Sequence, residues 1–267
     1  MKEYDAIILS STFNQEVALL KNFLFHLVEI SKKTNQIYQI LPVLVLEKSE
    51  EDKALKLLKL LEEFGIKDDV KILINENGIG FSSCLNYGIN NTNSKYIFRL
   101  DTDDRCLPKR LVKQLKIMEN QNLDFSNGYM YDENKKILKY PLNKLNIISH
   151  IALGMNPIAH PTICIRRSIL KINYNEKLQR AEDFDLWIIF LISKDINWQC
   201  IKEPLVVYNT YNARNKDKQN ALAQIYLRLK YSSKLIIISL ALILGIFPNL
   251  IRFFTAKNLF LQIRRRI

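Results

Sequence analysis

Four apolar runs, "DAIIL" (5–9), "IYQILPVLVL" (37–46), "VKILI" (70–74) and "KYIFRL" (95–100), read as strands separated by stretches with helical spacing. Val17, Leu20, Leu24 and Leu27 share one helical face, Leu55, Leu58 and Leu61 another, and a third helix is expected after Gly80. Strands this uniformly apolar need cover on both sides. A mainly parallel, Rossmann-like α/β sheet with flanking helices supplies it, and such sheets bind ligands beyond the carboxyl ends of their strands. The run "YIFRLDTDDRC" (96–106) ends one of these strands in Asp101, Asp103 and Asp104.

Three carboxylates so close repel one another unless a cation or an array of donors satisfies them, and hard divalent ions favour oxygen ligands. The same residues could form a solvated acidic turn capping a helix that begins near Leu107. An EF-hand loop is excluded, because Arg105 and Cys106 stand where that loop needs Asp or Asn and then Gly. An aspartyl-phosphate phosphotransferase or phosphatase with Asp101 as nucleophile is a more distant reading, and a non-catalytic membrane-associated scaffold is another. "NENGIGFSSCLN" (75–86) carries half of a dinucleotide-binding fingerprint, with Ser83 in place of its third glycine.

Downstream, a helix over "KRLVKQLKIMENQ" (109–121) is followed by a less regular half containing "NPIAHPTICIRRS" (156–168), "RAEDFDLWIIFLI" (180–192) and a strand-like "EPLVVYNTY" (203–211). Glu182 and Asp183 open an apolar helix, where the helix dipole favours an ionised carboxylate fit to accept a proton. Placement only to favour the helix is the alternative. The scarcity of glycine, 7 residues, argues against Gly-rich phosphate loops and propellers. Cys84, Cys106, Cys164 and Cys200 form no CxxC pair, so reduced thiols in the cytosol are the simplest expectation, and the N-terminal residues lack the pattern of an export signal.

Taken together, "NENGIGFSSCLNYGI", "YIFRLDTDDRCLPKRLVKQL", "HPTICIRRSIL" and "AEDFDLW" resemble, in order and spacing, the motifs of family 2 glycosyltransferases with a GT-A fold. More narrowly, they resemble bacterial enzymes of capsule, exopolysaccharide and O-antigen assembly. The resemblance implies a metal-dependent, inverting hexosyltransferase acting on a nucleotide-diphosphate sugar. It places Mn²⁺ or Mg²⁺ on Asp103 with Asp101 beside it, and Asp104 in support. Asp183 would be the base, with Glu182 the neighbouring candidate and Asp185 structural. Ser11, Phe13, Glu47, Asn86, Arg99 and Asp101 would bind the nucleotide sugar, and His160 would lie on the acceptor side. Glu47 stands where the family usually has an aspartate that reads the base, so the base is left open.

Domain limits follow: a GT-A domain over 1–213, divided into a nucleotide-binding half (1–106) and an acceptor half (107–213), then a basic amphipathic helical tail over 214–267. The tail holds eleven Lys or Arg and one acid, so it carries +10 of the net +12. Its 17 uncharged residues from Leu235 to Ile251 lie at the low end of what spans a bilayer and are interrupted by Gly245, Pro248 and Asn249. Flanked by Arg228, Lys230, Lys234, Arg252, Lys257 and Arg264 to Arg266, this stretch suits an anionic lipid surface better than nucleic acid, since stacking platforms and nucleic-acid motifs are missing. Packing of a helical hairpin on its own domain is the alternative. By the resemblance, the acceptor is a polyprenyl-diphosphate-linked sugar or a glycan, met at the cytoplasmic face of the cell membrane with the enzyme peripherally attached.

Overall fold

The computed structural model describes residues 3–76, 78–170, 173–193, 196–209, 217–233 and 236–255. The expected alternation is present: β1 (Tyr4–Ser11), α1 (Val17–Thr34), β2 (Ile40–Glu47), α2 (Glu51–Glu63), β3 (Lys71–Asn75), α3 (Phe81–Asn90) and β4 (Ser94–Arg99). These strands pair in the order β3-β2-β1-β4, all parallel. Every residue of β2 is buried, which is why it reads as a continuous apolar run. On one face the sheet packs against Leu20, Leu24 and Leu27 of α1 and Leu57 and Leu61 of α2; on the other it meets Cys84, Leu85 and Ile89 of α3. The buried stripe of α2 is Ala54, Leu57 and Leu61, while Leu55 is exposed. The leucine-rich run "ALKLLKLL" fits either phase, and packing selects the one that includes Ala54.

Beyond β4 the sheet becomes mixed. β5 (Arg105–Cys106) leads to α4 (Arg110–Asn120), β6 (Phe125–Tyr131), β7 (Ile137–Leu138), α5 (Lys144–Ala152), β8 (Cys164–Arg166), α6 (Glu182–Ile192) and β9 (Trp198–Val207). β8 lies antiparallel between β4 and β6, and β9 runs parallel to β6 and antiparallel to β5. The four parallel strands end at one edge of the sheet, in Ser11, Glu47, Asn75 and Arg99. At that edge β1 lies between β2 and β4, so strand order reverses there, the usual position of a ligand crevice.

The described residues after 214 form α7 (Asp217–Tyr231), α8 (Ile236–Leu244) and α9 (Ile246–Thr255). They share a core with the body: Leu227, Ala241 and Leu242 are buried with Ile147 and Ile151 of α5 and Phe184 and Ile188 of α6. The apolar stretch is therefore two short helices meeting at Gly245, and no described helix is long and apolar enough to cross a membrane. A Cβ on Gly245 would collide with the Arg228 guanidinium and the Ile151 carbonyl oxygen. Pro248 falls in the first turn of α9, where its missing N–H does no harm. Asn249 donates to the Gly245 carbonyl at 2.7 Å, fastening the bend.

One of the expected basic flanks turns inward and another is held by an ion pair. Arg228 is fully buried, donating to the Ile151 carbonyl at 2.7 Å with its guanidinium over the Phe184 ring, and Lys230 pairs with Asp185. Arg214, Lys234, Lys257 and Arg264 to Arg266 lie outside the described residues, as do residues 210 and 211 of the expected last strand and the side chain of Arg252. Replacing Gly245 with Val is expected to destabilise the protein by about 1–3 kcal/mol, the usual cost of overpacking. Denaturant unfolding measures this, and an unchanged midpoint would show that the bend is not tightly packed.

Candidate active site

Asp101, Asp103 and Asp104 follow directly on β4, and β5 separates them from α4. The reading of these aspartates as a cap on that helix is therefore corrected: Lys109 holds the cap position, with no side-chain cap bond. Pairing of β5 with the end of β9 brings the backbone N–H of Asn209 within 2.9 Å of one Asp104 carboxylate oxygen. The other oxygen is buried with no hydrogen-bond partner. Burial, and next the charge of Asp101, hold the Asp104 carboxyl well above the usual carboxylate range, and Asp103 adds to the repulsion. Arg99, only 2% exposed, pairs with Asp101 and lies over the Phe81 ring, 4.8 Å from its centroid.

Glu182 and Asp183 occupy the first turn of α6. Ala181, at φ 60°, adopts the left-handed conformation to turn the chain into that helix, a strained geometry often found at functional sites. Asp183 is held from two sides: the Phe184 N–H donates to Oδ1 at 2.7 Å, and the Asn156 amide to Oδ2 at 2.5 Å. Burial pushes the Asp183 carboxyl up to about 6 against these bonds, with the charge of Asp101 assisting. Burial and the neighbouring Asp183 charge push Glu182 up to about 7, while Arg99 opposes the shift. Asp101 thus acts electrostatically on both acids of α6, some eighty residues away in sequence, and Arg99 acts on both groups of acids. The fold gathers the two acidic motifs into one site.

Other expected contacts divide into two sets. Ser11 is buried at the end of β1. Phe13 is 65% exposed just beyond it, presented by a turn in which Asn14, at φ 57°, donates its N–H to Glu50. An aromatic ring left in solvent at a ligand edge is suited to stacking on a base. Glu47 accepts the Gly80 N–H at 2.8 Å, and Gly80 has φ 95°, a conformation that favours glycine. That bond occupies a donor a dinucleotide fingerprint would offer to a pyrophosphate, so the half-motif is a braced loop.

Asn86 and His160 turn inward. Asn86 donates to the Tyr174 carbonyl and to Glu176 and accepts from the Tyr174 N–H, so its amide pins the 174–176 segment to α3. His160 is 7% exposed, hydrogen-bonded to the Tyr174 hydroxyl at 2.8 Å and packed against Phe81 and Trp187. Burial, and secondarily Arg99, keep its imidazole well below its ordinary pKa, so it is a buried, hydrogen-bonded packing residue in this structure. Asp185 is buried, accepting from the Tyr231 hydroxyl at 2.8 Å and pairing with Lys230 at 3.4 Å, so it fastens α7 to α6. Sequence reasoning assigned no role to Asn156. Its only local signal is the Asn-Pro dipeptide, a turn former, because its partner lies 27 positions away.

No group of three or more His, Cys, Asp or Glu side chains placed to hold a metal ion occurs among the described residues. The acids present nonetheless fit a Mg²⁺ or Mn²⁺ ion of the kind held by one or two carboxylates plus substrate phosphates. A cation would relieve the repulsion recorded at Asp104, whose free oxygen is already withdrawn from water.

The family model for glycosyl transferase family 2 matches residues 8–194. The chain is 34% identical over 216 residues to an uncharacterized glycosyltransferase of Methanocaldococcus jannaschii, covering 78% of this chain and 71% of that protein. It is 30% identical over 213 residues to the O-antigen biosynthesis glycosyltransferase WbnJ of Escherichia coli, covering 77% and 81%. Among solved structures, the mannosyltransferase PcManGT of Pyrobaculum calidifontis, in complex with GDP-Man and Mn²⁺, aligns with a TM-score of 0.67 at 10% identity, over 96% of this chain and 73% of that one.

Proposed function

Because the chain belongs to glycosyltransferase family 2 and has a GT-A-type fold, we propose that it transfers a hexosyl residue, with inversion, from a nucleotide-diphosphate sugar to a lipid-linked or glycan acceptor in surface polysaccharide assembly. The observation that carries this is the convergence of the β4 acids and the α6 acids on one site, with Asp183 pushed up to about 6 by burial. Family membership also displaces the aspartyl-phosphate and scaffold readings.

In this scheme Phe13 stacks on the base and Glu47 holds the Gly80 loop beside it. Asp103 with Asp101 would hold Mn²⁺ or Mg²⁺, which supplies stabilisation of the negative charge gathering on the departing diphosphate. Arg99 limits repulsion between the two groups of acids. Asp183, oriented by Asn156 and the Phe184 N–H, accepts the acceptor hydroxyl's proton as the oxygen attacks the anomeric carbon. A thermal-shift screen of UDP and GDP sugars with and without Mn²⁺ tests this reading. One nucleotide class should raise the melting temperature only with the ion present; no response to any nucleotide would refute it.

Contact with the membrane surface is the second part of the proposal. Leu240, Ile243, Leu244, Phe247 and Ile251 recur at helical spacing along α8 and α9 and are all exposed, Phe247 to 70%. Because each large apolar side chain buried is worth about 1.5–3 kcal/mol, the Leu244→Asp/Phe247→Asp double variant is expected to weaken binding to phosphatidylglycerol vesicles by at least roughly 10²-fold. Unaltered sedimentation with vesicles would rule the stripe out as the contact.

A further inference from the structure

A groove of about 700 Å³ lies between the 175–178 turn and α7 and is lined by no residue of the two acidic motifs. One wall is the turn carrying Asn175, Lys177 and Leu178, and the other is the side of α7 that carries Leu222, Tyr226 and Lys230. Both walls are anchored. Asn86 ties the turn to α3 through Tyr174 and Glu176, and Asp185 ties α7 to α6 through Lys230 and Tyr231. Lys230 thus connects the groove to a residue two positions along α6 from Asp183. Leu222 and Tyr226, four apart on one helical face, are 50% and 57% exposed, which gives the α7 wall sizeable apolar surface. No carboxylate lines the groove among the described residues.

We propose that this groove binds an amphiphile with a phosphate or diphosphate head and an apolar chain. The head lies between Lys177 and Lys230, and the chain runs along Leu178, Leu222 and Tyr226. The Lys177 ammonium attracts the head, joined by Lys230, whose charge is shared with Asp185, and the apolar wall both removes the chain from water and strengthens that attraction by excluding solvent. The volume is within the range of about 300–1,000 Å³ common for small-molecule sites. The assignment rests on the lipid-linked-acceptor reading and gives such an acceptor a seat next to the helix that carries the base.

The test titrates farnesyl diphosphate into the full chain by calorimetry, with inorganic diphosphate and phosphatidylglycerol vesicles as comparisons. Lys177→Glu and Leu222→Gln/Tyr226→Gln are run in parallel, with melting temperature as the control for folding. Farnesyl diphosphate is expected to bind at least about tenfold more tightly than inorganic diphosphate, and each variant to weaken it by about tenfold or more, equivalent to roughly 1.4 kcal/mol. Binding by the parent that both variants retain overturns the groove and leaves the lipid-linked reading standing. No binding by the parent overturns both. Equal affinity for inorganic diphosphate, or equal loss of vesicle binding in the variants, also overturns the proposal, by showing a simple anion site or a bulk-lipid contact.

Discussion

Asp183→Asn is expected to lower turnover by roughly 10²- to 10⁴-fold, the range of a positioned general base, while nucleotide binding stays near that of the parent. An amide keeps an oxygen for the Phe184 N–H but has no basic lone pair to take the proton. The parent's pH profile gives a second reading of the same group. Its carboxyl, pushed up to about 6, must be ionised to act, so kcat/KM should fall about tenfold per pH unit below about 6 and level off above it. The raised value has a stability consequence of opposite sign. Ionisation is disfavoured in the fold, so this group contributes more stability as pH falls from about 6 toward its ordinary 3.8, where activity is being lost. Turnover retained in the variant would move the base elsewhere, and Glu182 would then be the residue to replace.

Asp103→Asn is expected to abolish ion-dependent stabilisation by the donor nucleotide and to lower turnover by about 10²–10³-fold, as the loss of one transition-state contact does. At a nucleotide concentration near 100 Kd the parent gains about 2.7 kcal/mol. For a chain of this size that corresponds to roughly 5–10 °C in melting temperature. The variant should show none of this ion-dependent rise. A ligand shift of the same size in the variant would take Asp103 out of the ion's coordination and turn attention to Asp104.

The parallel half of the sheet was legible because its strands are buried on both faces, which leaves unbroken apolar runs in the sequence. β6 and β8 were not. Ser126 and Asn127 of β6 are fully buried polar residues, and Ser126 is satisfied by Gln114 from α4, a bond no local pattern announces. The acids of the site were visible as motifs, since charge crowded at strand and helix ends needs an explanation. The parts that orient them were not, because Asn156 acts through a contact 27 positions away and Ala181 through a backbone angle. The tail was legible in part for a related reason. The interruption of Leu235 to Ile251 at Gly245 stood in the sequence, but not that the bend there admits Arg228, an arginine expected among the basic flanks and found inside.

The Asp185 link to Lys230 and Tyr231 bears on how such a chain could be recombined with its relatives. A chimera cut at residue 214 would separate α6 from the helix that closes over it and would leave Phe184, Ile188 and Leu191 facing a foreign surface. A swap of the terminal helices alone is therefore expected to lower stability, because Phe184, Ile188 and Leu191 of α6 and Ile147 and Ile151 of α5 lose the apolar surface that closes over them.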